Sequence, residues 1–370
     1  MKEPKYVDPP DRLLLGPGPS LVPPRVMKAL AAPSVGLMDP YLLKIFSEEQ
    51  ELLRQVFRTQ NEWTFAVSGT GTSGMETILS NLIEPGDQVL CAVHGYFGER
   101  MADVAQRSGA KVDRLARPWG EIFTVEEIRS ALERKTYKLL TLVHAETSTG
   151  ALQMNIKEIA EAAHSQGTLL ALDAVTSLAG MEVEIDGWNV DAAYSASQKC
   201  ISAPPGLAPL TLRPGAIKVI QERKHPAPSF YLDLRSYASY WGTPHTYHHT
   251  ACSNLHFALR EALGLIVEEG MEGCFKRHRE NSEILCLGLE RLGFQLLVPR
   301  EYRIPALITV RPPEGVNEAD LRSHLLNSHG IEVGGGLGEW KGKVLRIGLM
   351  GHSSQPGNVD RLLNAISDFR

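Results

Sequence analysis

Apolar positions along the chain fall into two regimes. From residue 63 to 212, short and nearly continuous apolar runs recur at Trp63–Val67, Gln88–Val93, Lys138–His144, Thr168–Leu172, Ala192–Ser195 and Leu207–Leu212. Helical spacing occupies several of the gaps, at Met75–Ile83, Val125–Leu132 and Ile156–Ser165. A strand that is apolar throughout needs cover on both faces, and helices returning between strands supply it. This pattern predicts an α/β fold with a mostly parallel sheet. Upstream, Leu42, Leu43, Phe46, Leu52, Leu53, Val56 and Phe57 repeat at helical intervals and predict a helix over residues 40–57. Before it, Gly16-Pro17-Gly18-Pro19-Ser20 predicts a rigid irregular loop, because proline fixes φ and glycine admits angles other residues avoid.

After Pro214 the regime changes. A segment rich in Tyr, His and Ser (Ser229–Thr250) leads into long helices reaching about Leu292. Shorter elements follow at Ala306–Val310, Glu318–His329, Lys343–Ile347 and Gln355–Asp368. The expected organisation is an N-terminal arm over 1–20, a large α/β domain over 21–265 and a smaller C-terminal α+β domain over 266–370. A chain of 370 residues is long enough for two such cores, since single cores stop growing at roughly 250–300 residues.

Composition removes several classes of function. A net charge of −5 leaves no basic footprint for nucleic acid and no polybasic stretch for anionic lipid. The five cysteines are scattered, with no C-x-x-C pair, which argues against a disulfide framework or zinc ribbon and for a reducing compartment. Met1 to Arg12 lacks the apolar run of a signal peptide, no stretch approaches membrane-span length, and Ser-Asp-Phe-Arg is not a peroxisomal signal. The expected location is the cytoplasm.

Ser68-Gly69-Thr70-Gly71-Thr72-Ser73-Gly74 follows a strand and opens a helix, so its backbone N–H groups and hydroxyls can cradle a phosphate. It also fits the dinucleotide fingerprint G-x-G-x-x-G. That reading needs an acid after the next strand, whereas Gln88–Val93 ends in His94-Gly95-Tyr96-Phe97-Gly98, and Glu84 and Asp87 precede it. A nicotinamide-dependent oxidoreductase therefore stays only as an alternative, beside a purely structural glycine turn. Asp173 ends a buried strand, where ligands of open α/β sheets sit, but a turn or cap role suits it equally. Lys199, taken alone, suits a solvated surface. Together, the phosphate cup, Phe97, Asp173 and Lys199 supply what pyridoxal 5′-phosphate requires: an anion site, a stacking ring, an acid for the pyridine nitrogen and an amine for the Schiff base.

With these residues in this order, the chain resembles the class V, fold-type I aminotransferases, most closely the alanine–glyoxylate and serine–glyoxylate group. The likeness runs from Leu13-Leu14-Leu15-Gly16-Pro17-Gly18-Pro19 almost to the C-terminus. It includes Ser68-Gly69-Thr70-Gly71, Glu146-Thr147-Ser148-Thr149-Gly150, Leu172-Asp173-Ala174, Ser197-Gln198-Lys199, Tyr247-His248-His249-Thr250, Gly335-Gly336-Leu337-Gly338 and Lys343-Val344-Leu345-Arg346-Ile347-Gly348. The resemblance implies a large domain built on a mostly parallel sheet of seven strands. It implies that Lys199 and Asp173 are catalytic and that Ser68, Gly69, Thr70, Gly71, Thr72, Phe97, Ser148 and Gln198 hold the cofactor. Arg346, Gly18 and Ser148 are expected at the substrate, with Arg346 on its α-carboxylate. Tyr247 and Thr250 are expected to reach the site of a neighbouring subunit in a homodimer. No metal is expected, since His248 and His249 lack a spaced acid or third ligand.

The implied reaction moves an amino group from alanine or serine to glyoxylate by a ping-pong route, with Lys199 moving the proton. Ureidoglycine or a kynurenine-type donor remains an alternative, as does a binding protein on a retired fold of this kind. Two segments depart from the family pattern: Thr250-Ala251-Cys252-Ser253-Asn254-Leu255-His256 is more polar, and Gly36-Leu37-Met38-Asp39-Pro40 lacks a histidine. Both bear on donor identity, not on cofactor chemistry. Cysteine desulfuration is not expected, because no cysteine sits in a late Ser/Gly-rich loop.

Overall fold

The computed structural model of the chain describes residues 7–369, so the first six residues of the expected arm lie outside the described residues. The six apolar runs become β1 (Trp63–Ser68), β2 (Gln88–Val93), β4 (Leu139–Val143), β5 (Leu169–Asp173), β6 (Ala192–Tyr194) and β7 (Leu207–Leu212), joined by β3 (Lys111–Ala116). They form one seven-stranded sheet in the order β1-β7-β6-β5-β4-β2-β3, with only β7 running antiparallel to its neighbours. β3 escaped the hydrophobic pattern because Lys-Val-Asp-Arg-Leu-Ala is exposed or half-buried at every position on the sheet edge.

Register explains where the chemistry gathers. Asp173 sits opposite Val143 on one side and Tyr194 on the other, so three adjacent parallel strands end in one row. Helix α1 (Pro40–Phe57) starts at Asp39, whose carboxylate accepts from Tyr41 N, and buries Leu42, Ile45, Phe46, Leu53, Val56 and Phe57. Helix α2 (Gly71–Leu82) lies tightly on the sheet: a Cβ at Gly74 would come within 3.0 Å of Ala208 Cβ and 3.3 Å of Tyr194 Cβ. Glycine there lets the helix, and hence its N-terminus, approach the strand ends.

A second, smaller core forms around an antiparallel sheet of β8 (Gln295–Leu296), β9 (Leu307–Arg311), β10 (Gly334–Gly335) and β11 (Leu345–Gly348), ordered β8-β9-β11-β10. Leu13 and Leu14, expected in the arm, pair in parallel with Ile331 and Glu332, and Leu13 and Leu15 are buried in this core. After α3 (Tyr96–Arg107), α4 (Ile156–Ser165) and α5 (Ser253–Glu269), the helix α6 (Met271–Arg291) bridges the two cores. Its Phe275 packs into the first and its Leu285 into the second. Among the described residues no helix is long and apolar enough to cross a membrane.

Candidate active site

At the carboxyl ends of β4, β5 and β6 lies a cavity of 190 Å³. Thr70, Gly71 and Thr72 enter from the start of α2, Phe97 and Arg100 from α3, Val143 and Asp173 from strand ends, and Gln198 and Lys199 from the turn after β6. The α2 terminus has no side-chain cap, since Thr70 makes no capping bond. Ser73 N and Gly74 N return to Thr70 O, at 2.8 and 3.3 Å, which leaves the N–H groups of Gly71 and Thr72 for an anion. Ser73, expected to add a hydroxyl donor, instead donates to Thr70 O at 2.7 Å. The Gln198 Oε1 atom is sealed without a protein partner.

Asp173 is the buried acid of this cavity. Tyr194 Oη donates to its Oδ2 at 2.6 Å and Val175 N to its Oδ1 at 2.8 Å. Burial outweighs both donors and pushes its carboxyl up to about 6. Lys199 is buried as well. Desolvation, followed by the positive charge of Arg346, brings its amine down to about 8. The Gly16–Ser20 loop braces this lysine. Lys199 Nζ donates to Pro17 O, Ser20 N donates to Gln198 O at 2.9 Å, and Ser20 Oγ donates to Lys199 O at 2.8 Å. Gly18, at φ +107°, presses so closely that a Cβ there would lie 2.7 Å from Nζ.

The aromatic wall is held from behind by Glu146. Its carboxylate is fully buried and accepts from Phe97 N at 3.2 Å, Gly98 N at 3.1 Å, Ser148 N at 3.0 Å and Ser148 Oγ at 2.6 Å. The acid thus sits on the positive end of α3 and fixes where Phe97 enters the cavity. Ser148 passes the grip on by accepting from Tyr96 N at 2.9 Å, so its hydroxyl is committed here and does not line the cavity. Arg100, one turn after Phe97, lies with its guanidinium 5.0 Å from that ring and 3.4 Å from Thr72 Oγ1. Neither Glu146 nor Arg100 was singled out by sequence. Glu146 lies inside a quoted motif, and Arg100 shares a helical face with Phe97.

Other expected residues stand further off. Ser68 lies below the cavity, where its hydroxyl is 3.3 Å from His249 Nε2 and its N–H faces Tyr237 Oη at 3.2 Å. Gly69 shapes the turn at φ +111°, without lining the cavity. Arg346 approaches from β11, 7% exposed, tethered to Gly335 O at 2.8 Å and Thr147 O at 3.2 Å. Burial brings its guanidinium down to about 10. Tyr247 and Thr250 are exposed and do not line the cavity of their own chain. His248 and His249 pack against Tyr237, and burial lowers His249 to about 4. The strand β2 leads into α3 with no acid at its end, so the feature a dinucleotide ribose requires is missing.

Comparison with known proteins agrees with this geometry. The family model for aminotransferase class-V matches residues 13–362. An alanine–glyoxylate aminotransferase of Drosophila melanogaster is 38% identical over 372 aligned residues, covering 100% of this chain and 94% of that one. An (S)-ureidoglycine–glyoxylate transaminase of Bacillus subtilis is 36% identical, covering 95% of this chain and 88% of its own. The crystal structure of an alanine–glyoxylate aminotransferase from Nostoc sp. superposes with a TM-score of 0.97 at 49% identity, covering 98% of this chain and 96% of that one.

Proposed function

The chain belongs to the class V aminotransferases, and from that membership we propose that it moves the amino group of alanine or serine to glyoxylate by a ping-pong mechanism. The observation that carries the reading is the meeting of a buried lysine, a buried acid and an uncapped helix N-terminus in one cavity. These residues fit pyridoxal 5′-phosphate, the family's cofactor: Gly71 N, Thr72 N and the amide NH2 of Gln198 can donate to its phosphate, and Phe97 suits its ring. When bound, that cofactor supplies an electrophilic carbon and an electron-withdrawing ring.

The protein's own groups do the rest. Asp173, costly to ionise alone in its buried position, is stabilised by a positive charge and so favours a protonated ring nitrogen in front of it. Lys199, with its amine near 8, is partly unprotonated at neutral pH and can act as nucleophile. The same nitrogen then takes the proton from the substrate Cα and returns it elsewhere. Arg346 offers a planar fork to the α-carboxylate, which orients the Cα–H bond towards Lys199. Gly18 and the prolines around it keep water and bulk away from Nζ on the remaining side. The exposed Tyr247 and Thr250 serve the cavity of a second copy, making the working unit a homodimer.

All three relatives quoted above name glyoxylate, while two name alanine and one (S)-ureidoglycine as donor, which supports the acceptor more firmly than the donor. Absorbance of the purified holoenzyme decides both. L-alanine or L-serine should replace the visible band by a near-ultraviolet one, and glyoxylate should restore it, with parallel double-reciprocal plots. A response only to (S)-ureidoglycine would reassign the donor, while intersecting plots or silence with every donor would overturn the proposal.

A further inference from the structure

A second cavity, of 430 Å³, shares no lining residue with the first, yet begins one residue away from it. Val143 faces the first cavity and His144 faces the second. His144 is 4% exposed and sits edge-on to Trp188 at 5.1 Å between ring centroids. Burial pushes its imidazole down to about 3, so the ring is neutral and carries one N–H. Its Nδ1 is sealed without a partner, which leaves Nε2–H as the donor for the cavity. A buried polar ring of this kind, with no protein group to satisfy it, marks a place for a ligand.

The second observation is independent. Helix α4 opens on the same cavity, with Asn155, Ile156, Lys157 and Glu158 in its wall. Asn155 caps nothing with its side chain and adopts φ 59°. The first return bond of the helix is Ile159 N to Asn155 O at 3.0 Å, so the N–H groups of Ile156, Lys157 and Glu158 are unspent. Lys157 and Arg279 stand on the rim with Glu158 and Glu182, and Glu182 leans towards Arg58 at 4.0 Å. Those side-chain charges balance. Selection for an anion therefore comes from the helix terminus and Nε2–H. The remaining wall is mostly apolar, with Met154, Met181 and Trp188, and its Gln153 spends its amide on Phe123 and Met154 O, which suits a flat hydrocarbon body.

We infer that this cavity is a binding site for a small aromatic carboxylate, its anionic group on the first turn of α4 and Nε2 of His144 and its ring beside Trp188. The backbone N–H of His144 donates to the main-chain carbonyl of Asp173 at 3.0 Å, so the two cavities lie on either side of one strand-to-strand contact.

The test is calorimetric titration of the full-length holoenzyme with indole-3-acetate. Saturable binding at one site per chain is expected, weakened about tenfold by His144→Phe, which removes the ring N–H donor, and by the surface pair Lys157→Ala/Arg279→Ala, which leaves Glu158 and Glu182 to make the rim net negative. The surface pair leaves the core untouched and so keeps the test valid should the buried variant fold poorly. Binding should persist in Arg346→Ala, and 3-methylindole, which lacks the carboxylate, should bind at least about tenfold more weakly. Absence of saturable binding, equal binding of 3-methylindole, indifference to both sets of substitutions, or loss in Arg346→Ala would each overturn the inference. The last of these would place the probe in the first cavity.

Discussion

Asp173 shows how one buried atom group can tie folding to cofactor binding. Its folded value of about 6 lies above the ordinary 3.8. A carboxyl raised in this way stabilises the fold fully below the lower value and loses that contribution as pH rises through the higher one. Without a positive partner, ionised Asp173 thus costs on the order of 3 kcal/mol at neutral pH. Asp173→Asn removes that cost, because its Oδ1 can still accept from Val175 N while Tyr194 turns its hydroxyl to accept from the amide. In protein stripped of cofactor, thermal unfolding of Asp173→Asn should therefore show a gain over the native chain at pH 8 that fades below pH 6. Turnover by the loaded variant should be almost lost, since nothing then holds the ring nitrogen positive. A stability gain that ignored pH would mean the acid is not the titrating group.

Among the elements, the joint between α3 and the Glu146 turn carries the aromatic wall. Four donors converge on one buried carboxylate, so Glu146→Ala leaves the Phe97, Gly98 and Ser148 N–H groups without an acceptor. Each orphaned buried donor costs about 1–3 kcal/mol, and the start of α3 should swing out of place. Glu146→Ala should lower the thermal midpoint and speed cofactor loss on dialysis. Phe97→Leu should speed cofactor loss while leaving the midpoint nearly unchanged. Equal retention by Glu146→Ala and the native chain would remove Glu146 from this role. Sequence pattern reached this joint only in part. Continuous runs such as Gln88–Val93 and Leu207–Leu212 are strands to the residue, because burial on both faces makes nearly every position apolar. By contrast, β3 and α3 went unnoticed: the first carries too few apolar residues, and the second follows β2 with only His94 and Gly95 between them. Lys199 and Asp173 were legible because their chemistry is specific. Glu146 acts on the start of α3 through backbone N–H groups 48 and 49 residues away, and no local pattern reports such a contact.

At the scale of the whole molecule, the cavity of one chain lacks two of its expected residues. Tyr247 is 57% exposed and Thr250 lies on the surface beside it, in a segment that also presents Phe230 at 77% and Tyr231 at 44%. Large aromatic side chains left open together are what a contact with a second copy would bury. If Tyr247 and Thr250 complete a neighbour's site, damage to Lys199 and damage to this pair reside in different sites of one dimer. Lys199→Ala and the double variant Tyr247→Ala/Thr250→Ala should each be nearly inactive alone. A hybrid dimer then holds one site with both lesions and one site with none, because isologous contact exchanges the same segments in both directions. Unfolding and refolding an equal mixture makes about half the dimers hybrid, so activity should return to roughly a quarter of the native level. The recovered activity should follow the hybrid fraction when the mixing ratio changes. If the two residues served their own chain, every hybrid would contain only singly damaged sites, and mixing would restore nothing.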